Sequence, residues 1–376
     1  MYSNTTSNLP SLQPLLFDFS DLPASFSVEL SKQEAEFAAI WNMVLHLLPA
    51  SVFEENSFGR RGFRLVDILA VRVVMLFFKQ SNVKMAIEFM NGNPNIRKIV
   101  GLSRIPSESV MSRRTKELID VIDVYSMHEA IVSEFYSTRL VCNLSIDSTP
   151  IDAREKPIAR EKPEKMKRGR KKKGSDEERE YKDRVAEEKR IEELEKHGAP
   201  SRFLATLEDG CSITGKKNSK GHMQWRIGYK VHLAVDDLGI PVSFFVSGAC
   251  VHDSRVAIPL LRLANERCTF LYSLMDGGYS SNDIESFAME LGVVPVIDFK
   301  ADRNGVKPEM DPAKKIRYRS RTTVERTNSE LKDCFLPPKL YSRGRCSLFD
   351  LQLSVLLLTI KKIRNRLIEE QKIQAA

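Results

Sequence analysis

Three acids in this chain stand where their type and spacing invite chemistry. "NLSIDSTP" and "LYSLMDGGY" each carry an aspartate, Asp147 and Asp276, within or at the end of an apolar, strand-like run. The third acid, Glu325, lies in "YRSRTTVERTNSELK", a stretch poor in apolar residues and rich in bases. On a continuous α-helix at 100° per residue, Tyr318, Arg321, Glu325 and Lys332 share a stripe about 60° wide. Val324, Leu331 and Phe335 form a neighbouring apolar stripe that would face a core. If the two aspartate strands are neighbours in one sheet, both carboxylates emerge at the same edge, where open α/β sheets keep their sites. The helix can then bring Glu325 to that edge. Clustered carboxylates repel one another unless a cation neutralises them, and oxygen-only ligation with open positions suits Mg²⁺ or Mn²⁺. Two such ions about 4 Å apart clamp the attacking and leaving oxygens of a phosphodiester. Singly, each acid also has an ordinary reading. Asp147 can cap a turn at "DSTP", Asp276 can open the "DGGYSSND" loop, and Glu325 can pair with Arg321 at i,i+4 for a few tenths of a kcal/mol.

The elements that must position these acids follow from periodicity. Residues 1–27 read as irregular. From 28 to 140 the apolar spacing is helical, as in "SKQEAEFAAIWNMVLHLL", "RLVDILAVRVVMLFFKQ" and "SMHEAIVSEFYS". Pro106 and Ser107 in "GLSRIPSESV" make a helix start. The arrangement is compatible with a helix-turn-helix carrying Arg113 and Arg114 on its second helix, and equally with an ordinary helical bundle. After residue 140 strands appear: "LVCNLSID", then "RIGYKVHLAVDD" and "IPVSFFVSGAC" about a turn at "DDLG". Helix and strand then alternate through "TFLYSLMD" and "VVPVIDF", and a C-terminal helix is expected over 346–370. Five strands follow, in a mixed α/β sheet covered on both faces and preceded by a helical region. The expected division is 28–140, a helical domain, and 141–376, an α/β domain that carries the three acids.

Residues 154–199 interrupt this pattern as a charged insertion between the first two strands. Its first part contains Arg168, Arg170, Lys171, Lys172 and Lys173; its second is mostly acidic. It has too little apolar surface for its own core, which leaves a basic arm on a phosphate backbone or a solvated loop. Trp225 and Tyr229 flank a strand near Lys220, Arg226 and Lys230. Packing is the expectation for both aromatics, with base stacking as the rival. His252 and Asp253 in "VHDSR" are expected to shape a strand-to-helix turn, and Tyr279 to pack.

The bulk properties agree with a folded protein that meets a polyanion. The 376 residues are 42% hydrophobic, with a net charge of +8 and a pI near 9.1. Six cysteines show no CxxC pair or zinc-like His spacing, so buried free thiols are expected, Cys142, Cys250 and Cys268 among them. No signal-peptide pattern opens the chain. The most apolar runs are broken by Asp67 and Arg72 or are too short to span a membrane. A cytoplasmic, nucleoid-associated protein is the expectation.

The ordered motifs resemble a known family. Tyr318-(2)-Arg321-(3)-Glu325-(6)-Lys332 is similar to the signature of DDE-type insertion-sequence transposases. "LSIDSTPID" resembles their first-aspartate strand, "GYKVHLAVDDLGIPVSFFVSGACVHDS" their central strands and "LMDGGYSSNDI" their second-aspartate motif. "NPNIRKIVGLSRIPSESVMSRRTKEL" is similar to their helical N-terminal region, and the likeness spans about residues 60–365. It implies a ribonuclease-H-like catalytic domain with Asp147, Asp276 and Glu325 as ligands of two Mg²⁺ (or Mn²⁺) ions. It implies DNA partners, namely the terminal inverted repeats and a target, and a homodimer or higher oligomer on them. Cleavage would expose 3′-hydroxyls that then join target DNA, with Tyr318, Arg321 and Lys332 on phosphates near the cut end. The alternatives are a nuclease or resolvase of the same fold without strand transfer, and a catalytically silent DNA-binding derivative. One departure stands out: only 48 residues separate Asp276 from Glu325, too few for the β-rich insertion that some relatives associate with a hairpin at the element end.

Overall fold

The computed structural model describes residues 30–54, 62–158, 209–217, 221–299 and 309–374, with a few isolated positions between 179 and 207. The basic run Arg168, Arg170 and Lys171–Lys173, most of the 154–199 insertion, and residues 1–27 lie outside the described residues.

The first helices are α1 (Lys32–His46), α2 (Leu65–Phe77), α3 (Val83–Gly92), α4 (Pro94–Ile99), α5 (Glu108–Val121) and α6 (Val124–Tyr136). In α2 every residue from Val66 to Phe77 is buried, which explains its nearly unbroken apolar sequence. Asp67 caps that helix by accepting from the Arg64 backbone N–H at 2.8 Å. Among the described residues no helix is long and apolar enough to cross a membrane.

The sheet is built from β1 (Leu140–Asp152), β2 (Ser212–Lys217), β3 (Met223–Val235), β4 (Pro241–Gly248), β5 (Thr269–Met275) and β6 (Val294–Ile297). Its order is β2-β3-β1-β5-β6, with β4 also paired to β3. β1 runs antiparallel to β3 and parallel to β5, and β5 is parallel to β6. This mixed sheet flanked by helices agrees with the ribonuclease-H-like expectation, with one correction: it has six strands, not five. The added strand, β2, pairs only with the first half of β3. Its sequence "SITGKK" is short, charged and holds a glycine, so no alternating pattern marks it.

The remaining helices are α7 (Asp253–Arg267), α8 (Asn282–Glu290), α9 (Pro312–Tyr318), α10 (Thr322–Phe335) and α11 (Arg345–Gln374). β4 is buried along its whole length, with α7 and α11 among the helices packed on it. The turn predicted at "DDLG" is present: Asp236 accepts from the backbone N–H groups of Leu238 and Ile240 and from the Tyr136 hydroxyl. α11 also packs on α1, α2, α5 and α6, so the N-terminal helices and the sheet share one continuous core. Cys142, expected inside, is exposed near the start of β1, within 3.3 Å of the Arg317 guanidinium.

Candidate active site

β1 continues through "DSTP" into Asp152, so Asp147 sits in mid-strand. The positions Asp147 to Pro150 pair with Leu233 to Lys230 of β3, which removes the turn-cap reading of Asp147. On the other side of β1, Ile146 pairs with Met275 in parallel register. One step further along each strand are Asp147 and Asp276, on chains about 4.8 Å apart. Asp276 ends β5 and accepts from the Gly278 backbone N–H at 2.7 Å, capping a short 3₁₀ turn, Gly277–Tyr279. The two aspartates therefore stand at one edge of the sheet.

The segment that carries the third acid departs from the continuous helix expected for it. α9 ends at Tyr318, a 3₁₀ turn covers Arg319–Arg321, and α10 begins at Thr322. A 3₁₀ turn winds faster than an α-helix, so Tyr318 leaves the stripe computed for an unbroken helix. The apolar side holds as predicted: Val324, Leu331 and Phe335 are fully buried, and Phe335 meets Phe77 of α2 edge-on. α9 is fastened to the strands by Arg317, which donates to Asn143 Oδ1 at 3.1 Å and lies 3.6 Å above the Tyr272 ring.

Arg321 occupies the centre of the arrangement. One arm of its guanidinium donates to Glu325 Oε1, and the other lies 3.8 Å from Asp147 Oδ1. The ordinary i,i+4 pair thus exists, and the same arginine reaches the strand aspartate. Its ring partner is Tyr318, 5.8 Å below the guanidinium carbon and half-buried. Asn328, one turn beyond Glu325, donates from Nδ2 to Asp147 Oδ2 at 3.1 Å. Asn328 is only 6% exposed, and its Oδ1 has no hydrogen-bond partner among the described residues. Burial raises the Asp147 carboxyl to about 6, with Arg321 opposing the rise and Asp276 and Asp253 adding to it. Glu325 remains 49% exposed at its side chain. Its Oε1 accepts from Arg321, and among the described residues no cluster of three His, Cys, Asp or Glu side chains is assembled as a metal cage. Lys332 lies further along α10, half-buried, in a groove with Lys79, Asp152, Arg226 and Asp333. Desolvation and the nearby Arg226 lower its pKa.

The residue after Asp147 belongs to a second polar cluster. Ser148 donates to Asp253 Oδ1 at 2.8 Å, and Lys230 donates to the same oxygen at 2.9 Å. Lys230 lowers the Asp253 pKa against the effect of burial. His232, fully buried beside them, bonds Ser247 and is pushed down to about 3 by burial, so it is neutral. His252 caps α7 by accepting at Nδ1 from the Ser254 backbone N–H, as the turn reading expects. Tyr279 is buried. From the sequence neither Asn328 nor Arg317 is singled out, and Lys230 is named only as a base near the Trp225 strand, without its bond to Asp253. An asparagine at i+3 from the acid was the available signal for the first, but spacing cannot show which strand residue it meets.

A transposase DDE domain family matches residues 142–348, over half of the chain. That span includes Asp147, Asp276, Glu325 and the helices between them. No curated protein and no solved structure matches the chain. The family match over more than half of the chain makes it a member of the DDE transposases, and the sheet brings Asp147 of β1 and Asp276 at the end of β5 to neighbouring positions within that span.

Proposed function

We propose that the chain cuts DNA at the ends of an insertion sequence and joins the freed 3′-hydroxyls to target DNA, using Asp147, Asp276 and Glu325. The observation that carries this reading is Arg321, which joins Glu325 to Asp147 while Asp276 stands on the neighbouring parallel strand. The donor set fits a hard divalent cation: carboxylate oxygens alone, from three separate elements, with the Asp147 charge incompletely compensated by the protein. Two Mg²⁺ ions, or Mn²⁺, would supply charge neutralisation at the phosphate and activation of the attacking oxygen. Asn328 holds the Asp147 carboxylate at one oxygen and leaves the other facing Arg321. When a phosphate arrives, Arg321 has a third anionic partner beside Asp147 and Glu325 and can exchange Glu325 for it. Lys332 and Tyr318 extend the same contact along the backbone. In cleavage the oxygen of water bonds to phosphorus as the 3′-oxygen leaves with a proton. In joining, the 3′-hydroxyl oxygen bonds to a target phosphorus while the target strand's 3′-oxygen leaves and takes up the proton that the hydroxyl gives up.

The helical residues 28–140 are assigned to holding the element end, and the protein is expected to act as a homodimer or larger assembly on paired ends. Arg114 is committed to Glu117 and the Phe63 carbonyl, whereas Arg113 is exposed. The deciding experiment is Glu325→Gln. Mg²⁺-dependent cleavage should be lost while DNA binding persists, and retained cleavage overturns the assignment. A pre-cleaved end bearing a 3′-hydroxyl should be joined to a second DNA by the native protein. Cutting without joining would identify a nuclease.

A further inference from the structure

β3 has two halves with different surroundings. Tyr229–Val235 lies between β1 and β4 and is almost wholly buried, whereas Met223–Ile227 pairs with β2, is exposed throughout, and meets the end of β1 through the Ile227 carbonyl, which accepts from the Ala153 N–H at 2.9 Å. Five residues of extended chain carry this two-stranded ribbon about 17 Å beyond the sheet. The change occurs at Gly228, where a Cβ would lie 2.0 Å from the Ile151 carbonyl oxygen, so a side chain there would force β3 away from β1.

The ribbon has two unlike faces. Cross-strand pairs Ile213–Ile227 and Gly215–Trp225, with Met223 next to them, form an apolar face. Its side chains are exposed, Trp225 to 68%. The Trp225 ring lies over Gly215, where a Cβ would come within 2.8 Å of it. One ring face is thereby held against the ribbon and the other is open. The opposite ribbon face carries Thr214, Lys216, Gln224 and Arg226. Arg226 shares its groove with Lys332, the last residue of the signature stripe on α10. The ribbon therefore projects from the sheet edge beyond which β1 carries Asp152, beside the candidate active site.

We propose that this ribbon is a DNA-binding element, with Trp225 stacking on a base next to the cut end while Lys216 and Arg226 meet the backbone. A two-stranded ribbon is narrow enough for the major groove. An exposed aromatic ring is the chemistry that takes an unstacked base, and the basic residues on the ribbon's other face are placed to meet the backbone that runs past its edge. The basic residues on the second face, continuous with Lys332, favour DNA over an apolar protein surface as occupant. The inference rests on the transposase reading and adds the surface through which the end is held.

The chain has two tryptophans, and Trp41 is only 1% exposed, so Trp41 contributes a background emission and a change on contact with DNA reports Trp225. The full-length protein is titrated with a 40-base-pair duplex carrying a frayed end, with the intact duplex and with oligo(dT). Anisotropy of labelled copies is followed in parallel. Tryptophan emission should be quenched in step with binding, most by the frayed end. Trp225→Ala should lose the quench and bind that end about tenfold more weakly, as one base stack is worth; Trp225→Phe should restore most of the affinity. Binding by anisotropy with unchanged emission and equal affinity of Trp225→Ala overturns the ribbon assignment and leaves the transposase reading standing. Absence of binding to every DNA overturns both. An emission change that follows protein concentration without DNA, together with loss of a dimer in Trp225→Ala by sedimentation, assigns the face to a second copy and overturns the proposal.

Discussion

Arg72 and Arg321 each face an aspartate on a neighbouring element, and their surroundings differ. Arg72 on α2 donates to both oxygens of Asp350 on α11, at 3.0 and 2.9 Å, with Ser342 and Thr115 completing the set. Both side chains are buried, and the pair ties the N-terminal helices to the C-terminal helix. Arg321 instead stands between two acids, holds one of them closely, and leaves a buried guanidinium nitrogen without a hydrogen bond. Arg72 also leaves one nitrogen, Nε, without a hydrogen bond, but both its terminal nitrogens are engaged and the pair is closed to solvent. The Arg321 arrangement has spare capacity at an edge open to solvent, as expected of charges that await a ligand.

The largest test of this contrast is Asp350→Ala, which leaves the Arg72 charge buried and unpaired. It should cost about 3–5 kcal/mol in urea or thermal unfolding. The double change Arg72→Met with Asp350→Leu should recover most of that loss. Arg321→Ala should instead slow single-turnover cleavage about 100-fold and move Tm by less than about 2 °C. A Tm loss as large as that of Asp350→Ala would mark Arg321 as a structural partner and end the comparison. The smallest effect concerns Asp147. Its carboxyl titrates near 4 when unfolded and at about 6 when folded. Between these values the native state holds more protons, so this group's contribution to stability falls as pH rises from 4 to 6 and is constant above. Without metal, Asp147→Asn should therefore raise Tm by about 2 °C at pH 7.5 and by nothing at pH 4, measured by circular dichroism in EDTA. A destabilised variant at pH 7.5 would show that Arg321 and Asn328 already compensate the charge.

Much of the site was legible before the fold because its signals are local. The aspartates in apolar strand sequences, the apolar stripe of Val324, Leu331 and Phe335, and the order of motifs all reside in short stretches. The contacts that organise the acids are not local. Asn328 meets Asp147 across 181 positions, and neither residue's neighbours announce the other. The sixth strand was invisible because half of β3 lies outside the core and its partner needs no apolar alternation. The helix break at 319–321 was missed because residue types there are compatible with either winding. Packing splits the two aromatics expected to share one fate: Tyr229 goes into the core and donates to Glu155 at 2.7 Å, while Trp225 is left open.

By itself the sequence determined which residues are candidates to hold cations and phosphates, since candidacy depends on side-chain chemistry and on periodicities of two and 3.6 residues. It also determined the mixed α/β class, because alternation and amphipathy are written residue by residue. Only the tertiary structure decided which carboxylates face which bases. That choice depends on strand order, on register and on where β3 leaves the sheet, and these are settled by the burial of surfaces far apart in the chain.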